Sequence, residues 1–232
     1  MKCYFEPARF ALALPAAFNS MGRFPMQQLR IVEEARVVLH EPALTLEEVP
    51  QLAIRPYPRH LISSWTTADG TALGIRPLRP EDEPLLVQFH ASLSDATVYA
   101  RYFDHLELDK RTAHERLARI CFLDYDRELA LVASMTSPAT GGEQIVGIGR
   151  LSKAHARNEA EFAVLVTDAQ QRRGIGTELL RRLIDFARAE GLARISGQMH
   201  ADNEGMRRAC ERLGFEIKAG VGEGVIRAEL VL

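Results

Sequence analysis

A strand, a glycine loop and a long amphipathic helix follow one another between residues 159 and 190, and no other segment constrains the fold as much. Residues 159–167 read EAEFAVLVT. A period of two puts Glu161, Ala163, Leu165 and Thr167 on one face and Phe162, Val164 and Val166 on the other. The helix expected over 174–190 gathers Leu179, Leu180, Leu183, Ile184 and Ala187 on one side. Gly191 then stands where a left-handed C-terminal cap belongs.

The flanking pattern extends the same logic. Apolar runs at 61–67 and 71–76 surround Asp69-Gly70, a hairpin signal. Pro80-Glu81-Asp82-Glu83 opens a helix expected to run to about residue 93, and a second is expected over 109–122. Strands are expected at 128–136, 144–152, 194–199, 215–218 and 225–232, with a helix over 203–213 ended by Gly214. Strands interleaved with helices in this order imply a mixed α/β domain, a central sheet flanked by helices. That domain is expected over 59–232. Residues 1–58 read as an arm or linker: a helix is expected over 26–40, with Leu29, Val32, Ala35 and Leu39 at helical spacing, before Pro42, Pro50, Pro56 and Pro58 break the chain.

Composition removes several classes of function. Lys and Arg total 29 against 31 Asp and Glu, a net charge of −2, so neither nucleic acid nor an anionic membrane is an expected partner. No apolar run approaches the ~18 residues of a membrane span. The apolar run at 10–18 is preceded by Glu6 and interrupted by Pro15, which argues against an export signal. Cys3, Cys121 and Cys210 form no CxxC pair and the seven histidines no HExxH, so no metal site is expected and the cytoplasm fits best.

Three segments carry chemistry. Gln171-Arg172-Arg173-Gly174-Ile175-Gly176 lies between the apolar strand and the long helix. A helix start offers unpaired N–H groups and the positive end of a dipole, and glycines let a phosphate oxygen approach the main chain. Arg172 and Arg173 would add charge-assisted contacts to the same anion. The segment reads as a pyrophosphate cradle, with a plain turn as the alternative. It is not a GxxxxGK[ST] loop, and it lacks the third glycine of GxGxxG.

Glu161 is a carboxylate within an apolar strand, costly to bury unless paired or used, and burial would make it a better base. An ion pair with Arg150 is the structural alternative, and Glu159 the rival base. In Asp124-Tyr125-Asp126-Arg127-Glu128, either Asp124 or Asp126 would attract a cationic acceptor, or the loop is simply solvated.

The spacing Q-x-x-G-x-G, with Glu161-Phe162-Ala163-Val164-Leu165-Val166 before it and Asn203 and Gly214-Phe215 after it, resembles the GNAT N-acetyltransferase superfamily. Ile75-Arg76-Pro77, Pro80-Glu81-Asp82, the 124–128 segment and 160–166 look like the acetyltransferase domain of bacterial Pat-type protein lysine acetyltransferases. The resemblance covers about residues 52–232. It implies a central twisted mixed sheet and an acetyl-CoA site. Gln171, Arg172, Arg173, Gly174, Ile175, Gly176 and Thr177 would hold the pyrophosphate, Phe162, Ala163, Val164, Leu165 and Val166 the pantetheine arm, and Asn203 and Met206 further parts of the coenzyme.

It further implies that Glu161 is general base for a lysine ε-amine of a protein such as an acetyl-CoA synthetase. An unperturbed lysine holds its proton about 3.4 units above neutrality, a deficit on the order of 4–5 kcal/mol. Direct attack needs neither a metal nor a covalent enzyme intermediate. Many GNAT enzymes carry a tyrosine acid seven residues after the helix asparagine, and here that position is Cys210. A small-amine acceptor and a silent acyl-CoA sensor stand as alternatives. Either the protein is a short standalone form, or residues 1–58 are a remnant arm used for packing or self-association, the second alternative allowing a homo-oligomer.

Overall fold

A computed structural model describes residues 3–5, 37–39, 55–154 and 158–232. The chain divides into two units, Met1–Pro56 and Tyr57–Leu232. In the first, strands β1 (Cys3–Phe5) and β2 (Val37–Leu39) pair antiparallel, with Tyr4 opposite Val38. The helix expected over 26–40 is thus wrong at 37–39, where two successive valines favour extended backbone. The rest of that expected helix lies outside the described residues.

The second unit is built on one sheet. Its strands are β3 (Ser63–Thr66), β4 (Ala72–Pro77), β5 (Glu128–Thr136), β6 (Glu143–Lys153), β7 (Glu159–Val166), β8 (Arg194–His200), β9 (Glu216–Ala219) and β10 (Val225–Val231). They lie in the order β3-β4-β5-β6-β7-β8-β10-β9. β7 and β8 run parallel and the other neighbours antiparallel. The helices are α1 (Glu83–Ala91), α2 (Asp95–Tyr102), α3 (Leu108–Thr112), α4 (His114–Cys121), α5 (Ile175–Ala189) and α6 (Glu204–Arg212).

Alternation along the strands splits the core into two layers. Leu129, Leu131 and Ala133 of β5 pack with Leu179, Leu183 and Ile184 of α5 and Cys210 of α6. Ala130 and Val132, the intervening residues, pack with Leu86 and Phe89 of α1, Val98 of α2 and Leu117 of α4. Gly147 and Gly149 let α5 lie close on β6: a Cβ at Gly147 would stand 3.0 Å from Ile175 Cγ2. No helix among the described residues is long and apolar enough to cross a membrane.

Two helical regions depart from the sequence reading. α2 was not anticipated, because β-branched and aromatic residues weaken its propensity. Its N-cap is Ser94, whose hydroxyl accepts from the Thr97 N–H. The single helix expected over 109–122 is two, broken at Ala113, whose ψ of 129° is extended. Arg111 is buried and donates to the His90 carbonyl at 3.0 Å, a tertiary contact that the local pattern does not encode.

Candidate active site

β7 and β8 pair at Glu159–Arg194, Ala160–Ile195 and Glu161–Ser196, and then part. The β6–β7 register fixes what the parting exposes. Thr167 N–H bonds the Val146 carbonyl at 3.0 Å, so alternate residues of β7 direct their main-chain groups away from β6. The N–H groups of Val164 and Val166 therefore point into the gap that β8 leaves. Phe162 sits at the root of the gap, its ring against Gly197 of β8, where a Cβ would lie 2.7–2.9 Å from ring carbons. The result is a cleft of roughly 920 Å³.

One end of the cleft is the loop before α5. Arg172 has φ 59° and Gly174 φ 85°, both left-handed. Such turns of the main chain gather N–H groups into a concave anion site. The first α5 bond runs from Glu178 N–H to the Gly174 carbonyl, and no side chain caps the helix. The N–H groups of Ile175, Gly176 and Thr177 consequently lack intrahelical acceptors.

The loop is held from both sides. Gln171 donates to Thr97 and to the Val166 carbonyl at 3.0 and 3.2 Å. Asp168 accepts from Ser94 N–H and from the Ser94 and Thr97 hydroxyls. Burial works against the Asp168 charge, but these hydrogen bonds outweigh it and hold the carboxyl below its usual range.

Glu161 lies where the strands part, opposite Ser152 of β6 and on the face covered by α2. The desolvated setting expected for it is corrected: it is exposed, because β8 diverges just beyond its partner Ser196. The ion pair with Arg150 is not formed. Arg150 pairs with Glu128, leaving Glu161 without an ion pair among the described residues. Glu159, the rival, faces Arg194 at 3.8 Å and lies outside the cleft.

Most residues expected to hold a coenzyme come together here. Phe162, Ala163, Val164, Leu165 and Val166 of β7, Gln171, Arg172 and residues 174–177 of the loop, and Asn203 and Met206 at α6 all line the cleft. Asn203 also caps α6, accepting from Met206 N–H at 3.1 Å.

Three expected residues do not line the cleft. Arg173 bonds Asp69, Thr71 and Gln170, tying the loop to the β3–β4 turn instead of facing an anion. Asp124 folds onto its own turn, accepting from Asp126 N–H at 3.1 Å and facing Arg127 at 3.5 Å. Neither it nor Asp126 reaches the cleft. The sequence reading also missed Ala100, Arg101, Tyr102 and Phe103, which line the cleft from α2 and its left-handed cap. Ser94-Asp95, a cap followed by an acid, was their signal. Cys210 is fully buried and packs in the core, where burial pushes its thiol up to about 12.

A family model described as an acetyltransferase (GNAT) domain matches residues 72–216. The chain belongs to the GNAT acetyltransferase family. It is 34% identical over 147 residues to Acetyltransferase PA5475 of Pseudomonas aeruginosa, covering 63% of this chain and 76% of that one. The crystal structure of the GNAT domain of S. lividans PAT superposes with a TM-score of 0.67 at 27% identity, over 76% of this chain and all of the other. An N-acetyltransferase of Thermoplasma acidophilum, solved in complex with coenzyme A, shares the fold (TM-score 0.56, 17% identity, 69% of this chain and 99% of that one).

Proposed function

We propose that this GNAT acetyltransferase carries the acetyl group of acetyl-CoA to a lysine ε-amine of a protein, in the cytosol, with Glu161 as general base. The observation that carries the reading is one cleft with an uncapped helix start at one end and an exposed carboxylate where the strands part. Five residues of β7, about 17 Å of extended chain, separate Glu161 from Val166 beside the loop. An extended thioester carrier fits that separation of diphosphate and reacting carbon. The coenzyme supplies an activated acetyl thioester, and its thiolate, with a pKa near that of cysteine at ~8.5, leaves without a strong acid.

The chain's own groups do the rest. Ile175, Gly176 and Thr177 N–H groups, with Arg172 beside them, take the diphosphate. Val164 N–H, which lies between Glu161 and the loop, donates to the carbonyl oxygen as it gains charge. Glu161 accepts the ammonium proton, directly or through water, so that a neutral amine attacks. In this reading residues 59–232 carry catalysis and residues 1–58 serve packing or self-association.

The test is incubation with labelled acetyl-CoA and lysine-bearing proteins, acetyl-CoA synthetases among them, followed by mapping of modified residues. Label on lysine Nε is the expected result. Transfer only to small amines would overturn the protein acceptor, and failure of calorimetry to detect coenzyme A binding would overturn the whole reading.

A further inference from the structure

Glu161 is the acidic part of the acceptor end, and the mechanism above leaves a basic part unused. Arg101, in the last turn of α2, is half-buried and lines the cleft with Arg150, Ser152 and Glu161. Among the described residues its side chain makes no ion pair and no hydrogen bond. Its close contact is the Tyr102 ring, 5.1 Å from the guanidinium carbon. Arg116 of α4 lies over the same ring at 5.2 Å, also without an ion pair among the described residues, and its Nε is buried and unpartnered. Arg150 is committed to Glu128.

The guanidinium groups of Arg101, Arg116 and Arg150 thus outnumber the carboxylates Glu128 and Glu161, and all three are only partly exposed. Burial pushes the pKa of Arg101 down, Arg150 and Arg116 push the same way, and Tyr102 and Glu161 oppose them. Arginine keeps its proton under such pressure, so the cleft holds a partly desolvated cation with no ion pair among the described residues, at some cost. A bound anion would remove that cost and take up donors now without acceptors.

We propose that the acceptor brings a carboxylate to Arg101 as it brings its amine to Glu161. Arg101 stands on α2 and Glu161 on β7, two elements that face each other across the acceptor end. One molecule carrying both groups a few bonds apart spans them: a lysine beside an acidic residue in a peptide, or an amino acid with its own carboxylate. The proposal rests on the reading that this cleft acetylates amines, and it names which amines.

The experiment compares kcat/KM for two pairs of acceptors with acetyl-CoA. One pair is a peptide with its lysine flanked by Glu and the same peptide with Gln. The other is 6-aminohexanoate and hexylamine. The wild type should prefer the carboxylate-bearing member of at least one pair by about tenfold or more, and the pair that responds identifies the source. Arg101→Gln should bring that ratio close to one, and Arg101→Lys should retain part of it. The ratio is taken within each variant, so loss of folded protein cancels. Ratios near one in the wild type for both pairs, or a ratio that survives Arg101→Gln, would overturn the proposal. No acetylation of any acceptor, with coenzyme A still bound, would overturn the acetyl-transfer reading and this proposal with it.

Discussion

The two ends of the cleft are made of different material. The loop end is main chain: one continuous stretch, 171–177, with left-handed turns at Arg172 and Gly174 and an uncapped helix start. The end proposed for the acceptor is side chains brought from β6, β7 and α2: Arg150, Ser152, Glu161 and Arg101. Backbone donors stay in place when most side chains change, so the loop end suits a part of the substrate that never varies. Side chains are replaced one at a time, so the acceptor end is where selectivity can be set without disturbing the other.

The contrast predicts opposite responses to substitution. Glu161→Gln should lower kcat by about 10²–10⁴ at neutral pH while leaving coenzyme A affinity unchanged. Trp65 is the chain's single tryptophan, and its ring lies 3.5 Å from where a Cβ of Gly174 would stand, so its fluorescence reports that affinity. Turnover that survived would remove Glu161 from the mechanism, and a lost fluorescence response would erase the separation between the ends.

Acid should loosen the α1–α4 layer first. Burial, with the charges of Arg111 and Arg116, pulls His90 of α1 down to about 4. The unfolded chain binds that proton at about 6.5, so stability is complete above that pH and declines as pH falls toward 4, by about 3 kcal/mol. Hydrogen exchange should show α1 and α4 losing protection before α5. His90→Leu should flatten the slope between those pH values, and equal slopes in variant and wild type would refute this account.

Gly197→Ala tests the root of the cleft. The added methyl meets the buried Phe162 ring, and overpacking of this kind costs about 1–3 kcal/mol. The strands should shift where they part, raising KM for acetyl-CoA. A smaller effect is expected at Arg173→Ala, which frees the loop from the β3–β4 turn: KM for acetyl-CoA rises severalfold with little change in kcat. Hydrogen bonds from Thr67 and Arg173 hold Asp69 at about 2, so this tether is complete above the ordinary carboxylate range and is lost only as pH falls through about 2. A titration of Asp69 in the variant should move upward, and an unmoved one would show that Thr67 alone sets it.

Legibility followed the same division. The alternation of β7, the glycine loop and the stripe on α5 were readable because each depends on neighbours within a few residues. Arg173 and Asp124 do not line the cleft, because charge and proximity in sequence do not say which way a side chain turns. Arg173 found Asp69 across the sheet, and Asp124 found its own turn. Arg101 went unremarked because Ser94-Asp95 signals a helix start and not which of the helix's residues matters, and Arg101 matters only where α2 lies over β7.

The sequence by itself determined a mixed sheet, a glycine loop at a helix start and a carboxylate five residues before the end of the apolar strand. Periodicity, capping and backbone conformation are short-range, and a single chain displays them. Only the tertiary structure decided that Glu161 is exposed, that Arg150 belongs to Glu128, and that Arg101 lines the same cleft as Glu161 with no ion pair among the described residues. Those outcomes depend on where β8 diverges and where α2 settles, and on competition among charges far apart in the chain.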